Sequence, residues 1–599
     1  MTTAGTQLYT EGQHTPGRII PIRDQEFDAF EAEAGAFLRG ERDERLFIGF
    51  RLKQGVYGQR QPARQMIRVK LPFGGVMPEQ LEAFAEVAER FVPLRKGHIT
   101  TRQNIQYHHI PLAKAVDALR VLGAVGLSTR EACGNVVRNV TGDPWAGVQD
   151  EPFDVTPYAA AFVRYWVRNE LTQLLPRKFK VSFSGNDADS AMSSIHDLGF
   201  IARTKMVDGK EVRGFKLVAG GGLSIMAKHA LVLRDFISVD DYLRDSEAVL
   251  RIFNAADELR KNIAKARIKF LVQRVGEETF RAMVDEELKG DWAKKPYPLE
   301  QWLYLDDEQA RAAKPLANPP QPAAEDRPAF ERWISVNVRK QRQPGYSAVE
   351  VKVSQGDLSP EQFRGLARIL RSFGSGYART TAWQNIVLRW IPDENLYAVW
   401  NALRELGLGA SGAMEVTDVV SCPGTDSCKL GITSSMGLNR AVQAKVEEMN
   451  ITDPLTRQVL INISGCPNSC GQHHIGNIGF HGASIGKSSD RQAPAYKVFV
   501  GGQRRAGKQL RMGQLLKVTI PAKRAPTVVE RFLTMYEAQR NDGEEFNDFV
   551  DRVGKEAFEK VIADLNTPPQ FSMDTMPEFI DWERDGLYVL ERGEGECAV

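Results

Sequence analysis

Apolar residues recur at helical spacing in two segments whose sequences match. Leu81, Phe84, Ala88 and Phe91 fall on one face of a helix opened by Pro78. Phe363, Leu366, Leu370 and Phe373 do the same behind Pro360. Alternating stretches, "KVSFS" (180–184) and "VLINIS" (459–464), predict strands that end in turn-rich loops, "SGND" and "SGCPNSCG". The pairing extends along the chain. "TTRQNIQYHHIP" matches "TTAWQNIVLRWIP", "FKLVAGG" matches "YKVFVGG" and "RVGEETF" matches "RVGKEAF", at offsets between 278 and 282 residues. Segments repeated in one order at one offset indicate a tandem duplication. Residues 314–329 carry five prolines and no periodicity, as a linker between the halves would. The expected fold class is α+β, with two pseudo-two-fold-related halves of two sub-domains each.

Composition narrows the function classes. At 599 residues the chain is too long for one core. A net charge of +2 gives no general case for nucleic acid or membrane binding. The first residues have no apolar stretch of the signal-peptide kind, and no run of 18 apolar residues occurs. The expectation is a cytoplasmic protein, with its six cysteines serving as ligands or free thiols.

Four of those cysteines cluster: Cys422 and Cys428 in "SCPGTDSC", Cys466 and Cys470 in "GCPNSCGQ". Buried unlinked thiols, a structural zinc and an iron–sulfur cubane are the competing readings. C-x5-C departs from the spacing of zinc knuckles. A cubane needs four thiolates from wrapping loops, and Pro423, Gly424, Gly465, Pro467 and Gly471 suit such loops.

The two motifs resemble those of the sulfite and nitrite reductases that carry sirohaem beside a [4Fe–4S] cluster. The resemblance covers roughly residues 45 to 565, duplication included. It implies cluster ligation by Cys422, Cys428, Cys466 and Cys470, with Cys470 bridging to the sirohaem iron. It implies an N-terminal arm (1–45), a ferredoxin-like half-domain (46–125) and a sirohaem and substrate domain (126–313). After the linker come a second ferredoxin-like half-domain (330–411), a cluster domain (412–565) and a tail (566–599).

An oxyanion substrate and the sirohaem carboxylates both require fixed cations. The resemblance nominates Arg68, Arg138, Lys178 and Lys180 as the group around the substrate. Lys178 and Lys180, two apart on a strand, share a face. Aligning "VVRNVTGDP" with "DVVSCPGTD" places Arg138 in the counterpart of the first cysteine loop, and Lys178 and Lys180 just ahead of the second's. Further sirohaem contacts are expected from Arg102, Gln103, Asn104, Gln106, Arg267, Lys269, Arg504 and Arg505, with Lys265 a weaker match and Asn468 beside the cluster. His473, His474 and His481 read as packing groups. Tyr57 and Cys133 match the positions of a Tyr–Cys thioether in some relatives. Cys597 reads as a free thiol on a loose tail.

Lys180 favours sulfite over nitrite, because nitrite reductases often carry an amide there; nitrite reductase is the alternative. "GCPNSCGQ" and "IGNIGFHG" look like the ferredoxin-dependent branch. No G-x-G-x-x-G opens a helix after a strand, so a separate donor is expected, ferredoxin or a flavoprotein, with Lys429 and Arg440 as members of a basic docking patch. A non-catalytic iron–sulfur carrier or sensor would need the cysteines but not the four cations.

Overall fold

Both anticipated helices form, and their first turns show why. In the computed structural model, which describes residues 18–303, 307–486, 491–593 and 595–596, helix Pro78–Phe91 begins where Gln80 accepts the Met77 N–H at 3.1 Å. Helix Pro360–Phe373 begins at a capping box, in which Ser359 Oγ accepts the Gln362 N–H and Gln362 accepts the Ser359 N–H. The predicted faces are buried, Phe373 only partly. They pack on each other through Phe84 and Phe363, whose ring centroids lie 5.7 Å apart. Arg364–Glu89 and Arg371–Glu82 pairs flank the seam.

The two ferredoxin-like segments share one core. Each contributes a five-stranded sheet whose last strand comes from the other half. Gly75–Val76 pairs with Ala378–Thr380, and Asp357–Leu358 pairs with Gly97–Ile99. The exchange is reciprocal down to single atoms. Gln103 Nε2 donates to the Thr380 carbonyl at 3.0 Å, and Gln384 Nε2 donates to the Ile99 carbonyl at 3.0 Å. Gly74 and Gly356 press against the same two carbonyls; a Cβ would stand 2.4 Å and 2.6 Å from them, and both residues are left-handed.

The remaining two sheets carry the site. One orders Thr141–Gly142, Val181–Ser184, Leu198–Val207, Lys210–Ala219 and Leu231–Ser238 side by side. The other has Val420–Ser421, Ile461–Ser464, Ile478–Ile485, Ala493–Val500 and Gln514–Leu515, with Ile520–Pro521 also on Ala493–Val500. In each, the first three strands run parallel and the rest antiparallel. Val181–Ser184 and Ile461–Ser464 are buried on both faces. Their apolar residues enter the cores, while Ser464 Oγ accepts the Gly471 N–H and Asn462 Nδ2 donates to the Gly471 carbonyl. The polar positions of the second strand thus hold a cysteine loop.

Strand register corrects one alignment. Asp143 N donates to the Phe183 carbonyl as Cys422 N does to that of Ile463, so Asp143 is the counterpart of Cys422. Arg138 lies five residues before that point rather than inside the cysteine loop's counterpart. A two-residue strand carries too little pattern to fix the offset. The lysine placement does agree with the register. Lys180 N donates to Asp197 as Leu460 N donates to Asn477.

The described part of the N-terminal arm is ordered, while the linker and the tail differ from expectation. Helix Asp24–Leu38 in the arm packs on helix Leu112–Ala124. The linker's last residues enter helix Arg327–Asn337, with Pro328 in its first turn. The tail is anchored, not loose. Asp581 accepts the Ser434 N–H at 2.7 Å, and buried Glu596 takes two bonds from Arg51, at 2.8 and 2.6 Å. Cys597 lies outside the described residues.

Candidate metal centre and anion pocket

Three of the four clustered cysteines are shielded, and Cys470 is exposed. Cys422 Sγ accepts the Gly465 N–H at 3.2 Å, and Ser435 Oγ donates to the Cys422 carbonyl at 2.6 Å. The two loops touch at Gly424 and Gly465, where a Cβ on Gly465 would come 2.6 Å from Gly424 Cα. Burial pushes the Cys422 thiol up to about 11, and the neighbouring Cys470 adds to it. Cys428 and Cys466 are raised by the same two causes in the same order. Four thiols within electrostatic reach of one another, three of them reluctant to ionise alone, are a donor set that becomes thiolate against a positive centre. Among the described residues no three Cys, His, Asp or Glu side chains converge as ligands of one ion would.

Imidazole is absent from this donor set. His473 is fully buried, stacked on His474 at 4.1 Å between ring centroids, and neither ring nitrogen has a partner among the described residues. Burial lowers His473, His474 and His481, His474 to about 4, so all three are neutral packing groups.

The cations gather opposite. Arg68 and Arg138 both donate to the Ala132 carbonyl, at 3.0 and 2.8 Å, and Arg138 also bonds the Gly134 carbonyl. Strand pairing sets Gln106 beside Arg68. With its amide oxygen turned to the guanidinium, Gln106 accepts bonds of 2.6 and 2.8 Å. Arg102 donates to His196 Nε2 at 2.7 Å and to the Asn139 carbonyl. Burial, then Arg138, Arg267 and Arg68, lower Arg102 to about 9 against the pull of Asp197. Lys180 is held well below its ordinary value by burial, Arg102, Arg267 and Lys178, while Cys470 pulls the other way. Lys269 donates to the carbonyls of Leu223 and Met226 and is lowered to about 8 by burial and Arg267.

Of Arg68, Arg102, Lys180, Arg267 and Lys269, only Arg267 has an ion pair among the described residues, a two-bond contact with Asp197 at 2.7 Å. Crowded cations with so little counter-charge make a receptor for a multiply charged anion. That is what a carboxylate-rich macrocycle and an oxyanion together would supply. The Nε of Arg102, buried without a partner among the described residues, points to the same unmet demand.

The two sides meet at Cys470. Thr101 Oγ1 donates to the Cys470 carbonyl at 2.7 Å, and Gln472 Nε2 returns a bond to the Thr101 carbonyl at 3.3 Å. Ser224 Oγ donates to Asn468 Oδ1 at 3.5 Å, bringing the Gly222–Lys228 turn over the second cysteine loop.

Other nominated residues stand elsewhere. The Gln103 amide bonds Gly142 and Thr380, and Asn104 accepts from Thr100 Oγ1 within its own turn; both hold the fold. Arg504 and Arg505 bind Met414, with Asn462 and Gln458, in the second half. Lys265 lies in a one-turn 3-10 helix, Ile263–Lys265. Lys429 and Arg440 pair with Glu596 and Glu583 of the C-terminal segment while keeping part of their side chains exposed. Tyr57 packs with Cys133 in one small cluster beside Ile48, Leu52 and Met66, and Cys133 Sγ lies 3.2 Å from Arg68. Sequence reasoning missed Thr101, Asn139, His196 and Asp197. The last two stood in the matched pair "HDLGF" and "IGNIGF", where the swap of Asp197 for Asn477 was the available signal.

Comparison with known proteins agrees with this layout. The nitrite and sulphite reductase 4Fe-4S domain matches residues 133–291 and 412–568, and the nitrite/sulfite reductase ferredoxin-like half domain matches 57–125 and 339–406. The chain is 28% identical to a sulfite reductase [ferredoxin] of Mycolicibacterium paratuberculosis, over 82% of each chain. It is 31% identical to a chloroplastic ferredoxin–nitrite reductase of Zea mays, over 83% of this chain and 84% of that one. The solved NirA protein of Mycobacterium tuberculosis superposes with a TM-score of 0.73 at 25% identity, covering 91% of this chain and 98% of that chain. The family works with sirohaem and a [4Fe–4S] cluster, and the donor sets above fit both. With two pairs of matched domains enclosing four thiols and a cation pocket, the chain belongs to the nitrite and sulfite reductase family of oxidoreductases.

Proposed function

We propose that this protein reduces sulfite to sulfide, taking six electrons in turn from a separate donor, ferredoxin being the donor class that the relatives' names indicate. The observation that carries sulfite is Lys180. A dianion with three oxygens uses a second lysine where singly charged nitrite does not need one, and Lys180 is packed among Arg102, Arg267 and Lys178. When bound, sirohaem would supply an iron for the substrate atom, and the cluster would supply electrons one at a time.

The residues then have distinct tasks. Arg102, Arg267, Lys269 and Gln106 would hold the macrocycle's carboxylates, and Cys422, Cys428, Cys466 and Cys470 the cluster, with Cys470 adjoining both. Arg68 and Arg138, fixed by the shared Ala132 carbonyl, would orient the oxyanion. Lys178 and Lys180 would pass protons as oxygens leave as water. A lysine whose burial among other cations holds it well below its ordinary value gives up a proton more readily than a free lysine does. An arriving dianion raises that value and recharges it.

The test is steady-state kinetics on sulfite and nitrite with one reductant. A higher kcat/KM for sulfite sustains the reading, and a strong nitrite preference replaces it with ferredoxin–nitrite reductase.

A further inference from the structure

Arg60 has no task in the scheme above, yet it touches the first cysteine loop at three backbone points. Its N–H donates to the Ser427 carbonyl at 3.0 Å. Its Nε donates to the Cys428 carbonyl at 3.3 Å, and its Nη2 to the Gly431 carbonyl at 2.7 Å. Neighbouring Gln61 donates to the Asp426 carbonyl at 2.9 Å. The same Nη2 reaches the Glu591 carbonyl at 2.8 Å, and the Glu591 carboxylate stands 3.7 Å from Nη1. Arg60 belongs to the first half, the loop to the second, and Glu591 to the C-terminal segment that closes over both.

That segment is built into the fold around the loop. Gly593 N donates to the Lys429 carbonyl, and Tyr588 OH donates to that of Ile432. Arg584 pairs with Asp426, and Glu596 takes Lys429 at 3.0 Å besides Arg51 and the Gly58 N–H. A Cβ on Gly58 would come 2.1 Å from Glu596 Oε1, so the strand before Arg60 is shaped to receive the chain end. Arg60 is mostly covered, at 20% side-chain exposure, and Glu591 is open at 73%.

We propose that Arg60 is a positioning residue for the cluster corner at Cys428, and that Glu591 sets how much of its charge the cluster feels. The Arg60 backbone N–H holds the Ser427 carbonyl before that corner and the guanidinium holds the Cys428 and Gly431 carbonyls at and after it, which fixes the loop, and the guanidinium places a permanent positive charge beside the corner. Reduction adds one negative charge to the cluster, so a nearby cation favours the reduced state and a nearby carboxylate opposes it.

The test uses the holoenzyme in a redox titration, following the cluster's reduced-state EPR signal with the sirohaem signal as internal reference. At the potential where the unsubstituted cluster is half-reduced, Arg60→Gln is expected to lower the reduced-to-oxidised ratio about fivefold, about 40 mV by the one-electron relation of 59 mV per tenfold. The sirohaem midpoint should move less. Glu591→Gln is expected to move the ratio the other way by a smaller factor, since its charge is exposed. Arg60→Lys keeps the charge and should stay near the unsubstituted midpoint, but its cluster should be lost faster to a chelator, because one ammonium cannot grip two carbonyls as the fork does. Shifts of the same sign in Arg60→Gln and Glu591→Gln, or no shift in either, overturn the proposal. If Arg60→Gln does not retain its cluster, the other two variants decide: a fall in Glu591→Gln, or an Arg60→Lys midpoint displaced as far as a charge loss would carry it, overturns it equally.

Discussion

The two halves share a frame and differ at the positions that do chemistry. Arg68, paired with Gln106, has Glu350, paired with Val387, at the equivalent place. Arg102 precedes Gln103 as Trp383 precedes Gln384, Lys180 answers to Leu460, and Arg267 on Asp197 answers to Asn547 on Asn477. In the second half these polar groups satisfy one another. Glu350, raised to about 7 by burial, accepts from Trp383 and Asn385, and Asn385 also donates to Asp418. In the first half Arg68, Arg102, Lys180, Arg267 and Lys269 crowd with Asp197 as their one ion-pair partner among the described residues. A closed polar network fills its own space, whereas an unbalanced one calls for a guest. The cysteines reverse the asymmetry. Cys422 stands where the first half has Asp143, whose carboxylate binds Trp145 N and Gln149 within its own loop.

The largest break in this comparison comes from the metal side. Cys470→Ser should abolish turnover and cluster iron together, measured by iron and acid-labile sulfide content. Next is Lys180→Met, expected to lower kcat/KM for sulfite by roughly 10² to 10³ with the cluster spectrum unchanged. Lys180→Gln should cost nitrite turnover far less than sulfite turnover, so equal losses would detach Lys180 from substrate choice.

The sharpest test copies one half into the other. Asp197→Asn alone strands the buried Arg267 charge and should destabilise by about 3–5 kcal/mol in denaturant titration. Adding Arg267→Asn recreates the Asn477–Asn547 pair and should recover most of that loss. A further effect is with pH. Burial holds His196 and His473 well below their ordinary value and His474 at about 4, so each remains neutral in the fold. Unfolded histidines bind protons below about pH 6.5. The stability contribution is therefore complete above that pH and declines from there towards about pH 4, which the pH dependence of Tm of the apoprotein should trace.

Much of this was legible in the sequence because the signals were long or rare. Helical faces of fourteen residues, four cysteines in two motifs and an offset held over five segments each exceed chance. The exchanged strands were not, since Gly75–Val76 and Asp357–Leu358 are two residues each and their partners lie in the other half. Arg138 was misplaced for the same reason. The ion pairs of Lys429 and Arg440 were not legible, because nothing local to them announces Glu596 or Glu583 more than 140 residues on. Polar groups that orient others, such as Thr101 and His196, carry no motif; only the pairing of strands and turns reveals them.

The strand exchange also has a consequence in time. During synthesis the first sheet lacks its edge until Asp357–Leu358 leaves the ribosome, and the cation pocket has no opposing wall until Cys470 follows. Long-range closure of this kind is slow, and an unpaired sheet edge invites intermolecular pairing. A nascent first half thus waits unfinished for a partner that the same message has yet to deliver.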